Sequence, residues 1–335
     1  MSKLIFKNIN KIIFFGGGKF LLWAAKEAHE KGYQVVVFSS KRHLCEDIGG
    51  ASFLDEVKKA GFVYHCSDNI NNDDEVIKHI SDKTLGISMG AAWIFKKHFI
   101  ERFKGRLLNL HGTRLPQGRG GGGFTWQILC RNRLGFCLVH QVDDGVDTGN
   151  VITYKEFIYP LACIISQDYI DYHCSQNMIF FSQFLESVKK ESFFTTAAQP
   201  EYLSSYWPRL NTLNQAFIDW SWSLEEIVAF INAFDSPYCG ASTFVGGKRV
   251  FLKCCCADYN DGSFHPFQKG IVYKIGQEAL FVSTKEGSLI VRQVLNEEGR
   301  NVINEILLGD RLATRGSFLE SAKEFRAVYT PDGLK

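Results

Sequence analysis

The sequence predicts an α/β protein in which a Rossmann-like, mostly parallel sheet with helices on both faces precedes a small, open β-barrel. In the first half of the 335 residues, short apolar runs alternate with amphipathic helical stretches, as in parallel strands joined by right-handed crossovers. After Gly240 the pattern changes to short strands separated by glycine-containing turns, which indicates a small barrel. A chain of this length also favours two domains.

The first region begins with a buried strand at 11–15 and a glycine turn before Lys19, which leads into a helix that stops at Gly32. Strands and helices then alternate along the chain. The further strands are predicted at 34–38, 62–65, 84–88, from 107, at 137–142 and at 151–157, and the helices at 20–31, 52–60, 73–80, 124–130 and 166–190. The last helix carries an apolar stripe that consists of Ile170, Ile179, Phe180, Phe184 and Leu185.

A linker at 191–210 follows, because this stretch loses periodicity and contains Pro200 and Pro208. Ser223 and Glu226 then form the capping box of a helix at 224–234. The barrel strands are predicted at 241–245, 249–257, 270–275, 279–283 and 288–295. The expected division is a first domain at 1–205, a barrel domain at 206–312 and a partly ordered tail at 313–335.

Composition narrows the class of protein. A hydrophobic content of 45% supports sizeable cores, and a net charge of +2 gives no general attraction to nucleic acid or to membranes. No apolar run approaches the roughly 18–20 residues that span a bilayer. The 10 cysteines lack the spacing of a disulfide framework and no signal peptide precedes them, so we expect a reduced, cytoplasmic protein. The run at 254–256 alternates faces on a strand, so its thiols would not converge on one metal ion.

The most informative stretch is 107–152. Asn109 and His111 stand two residues apart at the end of an apolar run, so they point to the same face of a strand. A loop with Arg119 and four glycines at 120–123 follows. A run of glycines costs backbone entropy, and it is tolerated where the backbone must pass close to another group or where the loop must move. A second glycine-punctuated loop at 143–149 precedes the next strand.

This order resembles the folate-dependent formyltransferase family. The family signature is Asn-x-His at a strand end, then Leu-Pro, then Arg-Gly, and further along Asp-x-Gly-x-Asp-Thr-Gly. In this chain the matching elements are Asn109-Leu110-His111, Leu115-Pro116, Arg119-Gly120 and the loop at 143–149. The resemblance implies that Asn109, His111 and Asp147 form the catalytic trio and that 1–205 is the catalytic domain. Thr113-Arg114 and the glycines after Arg119 depart from the family pattern where an acceptor could be recognised.

Formyl transfer to an amine suits these side chains. Asn109 can donate its amide hydrogens to the developing oxyanion, and His111 can move protons near neutral pH. Asp147 can orient the imidazole and stabilise its cation. No residue pattern argues for a covalent serine or cysteine intermediate, and the chemistry needs no metal.

The resemblance also implies binding residues. The folate pocket would be walled by Met89, Gly90, Trp93, Asp143 and Gly145. The acceptor would be held by Lys19, Thr113, Arg114, Arg119 and Gly120. Lys19 starts a helix, where a phosphate can bind, although a solvated lysine in a tight turn is the simpler alternative. An NAD site is disfavoured because the G-x-G-x-x-G spacing and the acid after the second strand are missing.

The expected function is formyl transfer from 10-formyltetrahydrofolate to the amino group of a nucleotide-linked amino sugar, as in the sugar-nucleotide branch of the family that serves lipopolysaccharide biosynthesis. Formylation of methionyl-tRNA is an alternative, but residues 240–312 carry nine Lys or Arg against eight Asp or Glu, which is not a basic footprint. Hydrolysis of formyltetrahydrofolate stays open, whereas a binding module with an inactive site fits poorly with an intact trio. The expected partners are therefore folate and a nucleotide sugar, with no membrane, nucleic acid disfavoured and a homodimer left open.

Overall fold

A seven-stranded mixed sheet forms the centre of the first region in the computed structural model, which describes residues 2–330 and 332–334. The strands are β1 (Ser2–Leu4), β2 (Lys11–Gly16), β3 (Gln34–Ser39), β4 (Val63–Cys66), β5 (Thr84–Met89), β6 (Leu107–His111), β7 (Arg119–Gly120), β8 (Leu134–Gln141), β9 (Val151–Ile158) and β10 (Phe194–Thr196). The helices are α1 (Gly18–Glu30), α2 (Lys41–Leu44), α3 (Phe53–Lys59), α4 (Asp74–His79), α5 (Lys97–Ile100), α6 (Gly123–Leu129) and α7 (Ser166–Lys189).

The strand order β4-β3-β2-β5-β6-β8-β9 confirms a mostly parallel sheet. The pairings from β4 to β6 are parallel, and β8 and β9 add as an antiparallel edge. Successive side chains of β2 point to opposite faces: Phe14 packs in the core that includes α1 and α7, and Phe15 in the core that includes α4 and α5. Helices therefore cover both faces, as predicted.

Differences from the sequence prediction are local. β8 begins at Leu134 rather than at 137. Ile179 is 50% exposed, because the face of α7 that packs on the sheet is formed by other residues, among them Phe181 and Val188. The antiparallel pair β1–β10 was not predicted, since strands of three residues show no measurable period.

The second region contains an antiparallel barrel. Its elements are β11 (Tyr206–Trp207), α8 (Thr212–Gln215), α9 (Leu224–Ala233), β12 (Ala241–Val245), β13 (Lys248–Asp258), β14 (Val272–Ile275), β15 (Leu280–Ser283), β16 (Ser288–Leu295), β17 (Leu312–Ala313), α10 (Gly316–Glu324), β18 (Tyr329–Thr330) and β19 (Gly333–Leu334). Six strands pair in the order β14-β15-β16-β13-β12-β17. A bridge between Ile271 and Arg311 brings the two edges together, so the predicted open barrel is confirmed.

The barrel core continues into the first region. Leu252 and Val291 of the barrel belong to the same apolar cluster as Ile227 of α9, Ile128 of α6 and Tyr159, which follows β9. The linker is also attached to the first region, because β11 pairs in parallel with β7. The division at 205/206 stays a prediction, but the two regions are packed together rather than separated by a free linker.

The segment after residue 313 contains a packed helix where a partly ordered tail was expected. Phe318 of α10 lies 5.3 Å from the ring of Phe217 and 4.7 Å from that of Phe244, measured between ring centroids. Ala322 of the same helix is only 8% exposed. Within residues 2–330 and 332–334, none of the helices combines the length and apolarity required to span a bilayer.

Candidate active site

The ends of β5 and β6, the glycine loop and the loop after β8 enclose a cavity of about 590 Å³. This volume lies within the range of roughly 300–1,000 Å³ typical of small-molecule sites. Asn109, His111 and Asp147 all line the cavity. The sequence placed the first two on one strand face, and the fold brings the third to them from a loop 36 residues further along.

Four polar side chains meet at this point. Asn109 on β6 lies directly opposite His140 on β8, and its Nδ2 is 3.1 Å from His140 Nε2. Asp147 Oδ1 is 3.5 Å from Asn109 Nδ2, 3.6 Å from His140 Nε2 and 3.7 Å from His111 Nδ1. The trio is therefore a quartet, in which one carboxylate oxygen faces three nitrogen atoms.

The loop that carries Asp147 is held by specific contacts. Asp147 has a φ of +54°, which only a small fraction of non-glycine residues adopts. Its Oδ2 accepts a hydrogen bond of 3.0 Å from the amide of Gly120, and its carbonyl accepts one of 2.8 Å from the side chain of Gln199. Gly120 has a φ of +97°, and a Cβ there would lie 2.4 Å from the carbonyl oxygen of Trp207. Position 120 thus requires glycine, and the glycine loop positions the carboxylate.

Hydrogen bonding assigns the proton positions of His140. Its Nδ1 lies 2.7 Å from the carbonyl oxygen of Gln141, which can only accept, so Nδ1 carries the hydrogen. Nε2 is then an acceptor, and it receives one amide hydrogen from Asn109. This contact fixes the amide orientation of Asn109. The second hydrogen is only weakly engaged, with Asp147 Oδ1 3.5 Å from Nδ2, and so stays available to a substrate oxygen.

The same reasoning assigns His111. Its Nε2 lies 3.0 Å from the carbonyl oxygen of Gly118 and 2.7 Å from Thr113 Oγ1, while the Thr113 hydroxyl donates to that carbonyl over 2.6 Å. Nε2 therefore carries the hydrogen and Nδ1 has the free lone pair. Nδ1 faces Asp147, so a proton taken up there creates an imidazolium beside a carboxylate.

The electrostatics match these roles. Burial lowers the pKa of His111, against the opposing effect of the Asp147 carboxylate, so the imidazole is neutral at physiological pH. Burial by itself would raise the pKa of Asp147, but contact with His140, the charge of His111 and the hydrogen bond from Gly120 bring it to about 2. A neutral base beside a permanent anion can accept a proton, and a fixed amide donor stands next to them.

The atoms of His111, His140 and Asp147 also lie within 4.8 Å of one another, which is a donor set that could hold a divalent cation. His140 Nε2 and Asp147 Oδ2, however, already accept hydrogen bonds from Asn109 and Gly120. The expectation that no metal is needed stays a prediction with its own test.

Comparison with known proteins agrees with this site. A formyl transferase family model matches residues 10–159, and the model of the formyl transferase carboxy-terminal domain matches residues 212–310. The chain belongs to the folate-dependent formyltransferase family. A curated relative, methionyl-tRNA formyltransferase of Desulfotalea psychrophila, is 26% identical over 201 residues. That match covers 60% of this chain and 60% of the relative, so the chain matches less than two thirds of the relative's length.

Two solved formyltransferase structures share the fold over nearly their whole length. WlaRD, a sugar 3N-formyl transferase in the presence of dTDP and 5-N-formyl-THF, has a TM-score of 0.63 and 21% identity, with 87% of this chain and 99% of that one covered. The N-formyltransferase from Helicobacter canadensis, in complex with folinic acid and dTDP-3-aminofucose, has a TM-score of 0.63 and 18% identity, with 85% and 99% covered.

The residues that the formyltransferase resemblance assigns to folate are brought together by the structure. Met89, Gly90, Trp93, Asp143 and Gly145 all line the cavity. Asp143 Oδ1 accepts hydrogen bonds from the Thr148 hydroxyl and the Gly145 amide, so this side chain also shapes the loop. Their contact with folate stays a prediction.

The predicted acceptor residues divide into two groups. Thr113 and Gly120 line the cavity, but Lys19, Arg114 and Arg119 are not among the described residues that do so. Lys19 is exposed on α1, and Arg114 is exposed with its guanidinium 6.0 Å from the centre of the Phe136 ring. These three cations lie outside this cavity, although Arg114 and Arg119 line an adjoining one together with Thr113 and Gly120. Their contact with the acceptor stays a prediction.

Arg119 is buried and already paired within the protein. It is 7% exposed, and it pairs with Glu201 at 2.8 Å and with the side chain of Gln199 at 3.1 Å. These partners lie about eighty residues further along the chain and attach the linker to the glycine loop. Sequence reasoning did not find these partners, because nothing local to Arg119 indicates which distant segment it will meet.

Among the further residues that line the cavity, five that were not predicted carry nitrogen-containing polar side chains: Arg42, His140, His173, Asn177 and Arg209. His140 could have been found from strand pairing, which sets it opposite Asn109. His173 and Asn177 could have been noticed as polar residues at helical spacing among apolar ones on α7. Arg42 and Arg209 stand in a strand exit and in the linker, where no local pattern marks them.

Proposed function

We propose that this formyltransferase moves a formyl group from 10-formyltetrahydrofolate to the amino group of a nucleotide-linked amino sugar. The observation that carries the proposal is one cavity that contains both the Asn109, His111 and Asp147 network and two arginines, Arg42 and Arg209. The network suits acyl transfer to an amine, and arginines suit phosphate groups. The folate would lie against the wall after β5 and the loop after β8.

The reaction follows from the assigned proton positions. The acceptor amine attacks the formyl carbon, a new carbon–nitrogen bond forms, and the carbonyl oxygen becomes an oxyanion that accepts a hydrogen bond from Asn109 Nδ2. His111 Nδ1 takes the proton that the amine loses, and Asp147 stabilises the imidazolium. When the oxyanion collapses, the bond between the formyl carbon and N10 of the folate breaks. His111 then returns its proton to N10, so that tetrahydrofolate leaves.

Arg209 is the cation best placed for a phosphate of the acceptor. It follows the short strand β11, which pairs with the glycine loop. A Cβ placed on Gly121 would lie 2.9 Å from the Cβ of Arg209. Arg209 therefore lies against the glycine loop that also positions Asp147. Arg42 donates to the carbonyl of Gly90 over 3.3 Å and so belongs to the wall proposed for folate.

The barrel surface supports a small acceptor rather than tRNA. Of the nine cations in residues 240–312, at least five form hydrogen bonds or ion pairs within the protein, among them Arg292, which bonds Cys256. Lys253 is 9% exposed and lies 3.4 Å from Asp235, and Arg300 pairs with Glu298 at 3.0 Å. Arg249 bonds Ser242, and Arg311 bonds backbone carbonyls near Phe267. A surface with balanced charge, on which several of the cations are paired within the protein, is a poor match for a phosphate backbone. Methionyl-tRNA is nevertheless the second candidate, because curated relatives carry that name.

A panel assay with labelled 10-formyltetrahydrofolate tests the proposal. The acceptors are dTDP- and UDP-linked 3-amino and 4-amino sugars, charged methionyl-tRNA and buffer alone. We expect rapid transfer to at least one nucleotide amino sugar and slow release of formate without an acceptor. Faster transfer to tRNA, with a steep dependence on salt, would replace the proposal by the second candidate. Formate release that is independent of any amine would instead show a hydrolase.

A further inference from the structure

Two polar side chains of α7 line the cavity without a role in the network described above. His173 and Asn177 stand four residues apart, so they lie on one face of the helix. They are 3% and 7% exposed. Among the described residues, His173 Nε2 and Asn177 Oδ1 have no hydrogen-bond partner. Buried polar atoms normally form hydrogen bonds, so two such atoms without a partner on a cavity wall indicate that a ligand binds there.

The proton position of His173 is fixed by its other nitrogen. The Tyr159 hydroxyl lies 2.9 Å from His173 Nδ1, and within the described chain it has no other acceptor for its hydrogen. The hydroxyl therefore donates to Nδ1, which places the imidazole hydrogen on Nε2. Burial, with a smaller effect of His111, lowers the pKa of His173 to about 4, so the ring is neutral at physiological pH. Nε2 thus presents an N–H donor to the cavity.

The pair lies beside the reacting groups. A Cβ on Gly112, the residue after His111, would lie 3.2 Å from His173 Nε2, so the missing side chain at 112 leaves this nitrogen open. The ring of Phe124, on α6, stands 5.0 Å from the His173 ring between centroids. His173 and Asn177 therefore belong to the α6–α7 side of the cavity, whereas the residues proposed for folate follow β5 and β8.

A donor next to an acceptor matches one kind of group especially well. A hydroxyl accepts a hydrogen bond with its oxygen and donates one with its hydrogen, so it can accept from His173 Nε2 and donate to Asn177 Oδ1. A phosphate can only accept at neutral pH, and an ammonium can only donate. Nucleotide sugars carry ring hydroxyls next to the amino group that would be formylated.

We propose that His173 and Asn177 form a subsite that binds a ring hydroxyl of the acceptor and thereby selects hydroxyl-bearing amino sugars. This inference rests on the proposed function, since it names a further feature of the same acceptor. His173 and Asn177 are specificity and positioning residues: they hold the sugar so that its amine faces the formyl carbon beside Asn109 and His111.

The test compares acceptors that differ by one hydroxyl. The probes are the best nucleotide amino sugar of the panel, beginning with dTDP-3-aminofucose, and its analogues that lack one ring hydroxyl each. The variant is Asn177→Leu, which keeps the volume and removes the acceptor atom, with Asn177→Ala as a second variant with no steric demand. The matched control is Gln176→Leu, since the Gln176 amide accepts from Lys155 and does not line the cavity.

We expect the wild-type protein and Gln176→Leu to favour one hydroxyl-bearing acceptor over its deoxy analogue by about 10- to 100-fold in kcat/KM. In both Asn177 variants this ratio should fall to about threefold or less, because the hydroxyl-bearing acceptor loses its advantage. The KM for folate should be unchanged. A merely structural role of Asn177 would slow both acceptors equally.

The failures are distinguishable. An unchanged ratio in folded Asn177 variants, or a change in the folate KM with the acceptor ratio intact, overturns the hydroxyl subsite and leaves the proposed function standing. A wild-type protein that formylates no nucleotide amino sugar at all overturns the proposed function and the subsite with it. A wild-type ratio near one for every deoxy analogue also overturns the subsite.

Discussion

His140 accepts a hydrogen bond from Asn109 and thereby fixes the orientation of its amide. We expect His140→Met, which keeps a buried side chain of similar size but removes the acceptor for Asn109 Nδ2, to lower kcat by about 10- to 100-fold. This is less than the roughly 10²–10³ that loss of an oxyanion donor costs, because Asn109 itself remains. His140→Gln, which restores an acceptor oxygen, should recover part of the loss. Equal turnover in His140→Met and wild type would remove His140 from the site.

His111 should titrate below its ordinary value. Burial lowers its pKa, whereas the Asp147 carboxylate raises it. The neutral form therefore persists to lower pH than for a free histidine, and Asp147→Asn should lower the pKa of His111 further. Asparagine tolerates the positive φ of position 147. The measurement is an NMR titration of the imidazole nitrogens in both proteins. A higher pKa of His111 in Asp147→Asn than in wild type would contradict the assigned geometry.

We expect substitutions of Arg209 and Arg114 to differ in their effect on the KM for the acceptor. Arg209 lines the cavity and Arg114 is exposed outside it. Arg209→Gln should raise the acceptor KM by about tenfold, the scale of one charge-assisted hydrogen bond, and leave the folate KM nearly unchanged. Arg114→Gln is the matched control and should change neither constant. If Arg114→Gln instead raises the acceptor KM and Arg209→Gln does not, the expectation from the sequence was right.

At the scale of elements, α10 is part of the folded second region. Phe318 packs on Phe217 and Phe244 and is 37% exposed, so about two thirds of its surface is buried, less than for a core phenylalanine. Phe318→Ala should lower the free energy of unfolding by about 1–2 kcal/mol, below the 3–5 kcal/mol of fully buried positions. Glu320→Ala, on the exposed side of the same helix, is the control. Thermal unfolding is the measurement, and identical Tm values for both variants would mean that the helix does not pack.

The glycine loop shows how elements build the site. Gly120 pairs with Trp207 of β11, and its backbone amide donates a hydrogen bond to Asp147 Oδ2. Arg119, next to it, attaches Gln199 and Glu201. The sequence left two explanations for the glycines of this loop, mobility or the close approach of other backbone. The contacts with β11 support the close approach. The loop connects the linker to the Asp147 carboxylate.

At the scale of the whole molecule, the cluster of His111, His140 and Asp147 raises the question of a metal. Because His140 Nε2 already accepts a hydrogen bond from Asn109, a cation bound there would have to displace it. We expect dialysis against a chelator to leave turnover unchanged, relative to protein dialysed against buffer alone. Activity that is lost on chelation and restored by a divalent metal would show instead that the cluster is a metal site.

The sequence by itself determined the fold class and the barrel, and it predicted the trio of Asn109, His111 and Asp147, whose catalytic role stays a prediction. Helices such as 166–190 and strands such as 84–88 are long enough to show their period, and Asn109 and His111 are close enough for strand geometry to fix their common face. Asp147, the third member of the trio, could be predicted because the loop motif at 143–149 that contains it lies within seven consecutive residues. Features that span a few consecutive residues are written in the sequence directly.

Only the tertiary structure decided which other side chains reach the cavity. His140 depends on the register between β6 and β8, His173 and Asn177 on which face α7 turns inward, and Arg209 on the pairing of β11 with β7. Arg119 pairs with Glu201, 82 residues away, a contact that the local sequence did not indicate. These outcomes follow from contacts between distant segments, and a local pattern contains no information about which distant segment a residue will meet.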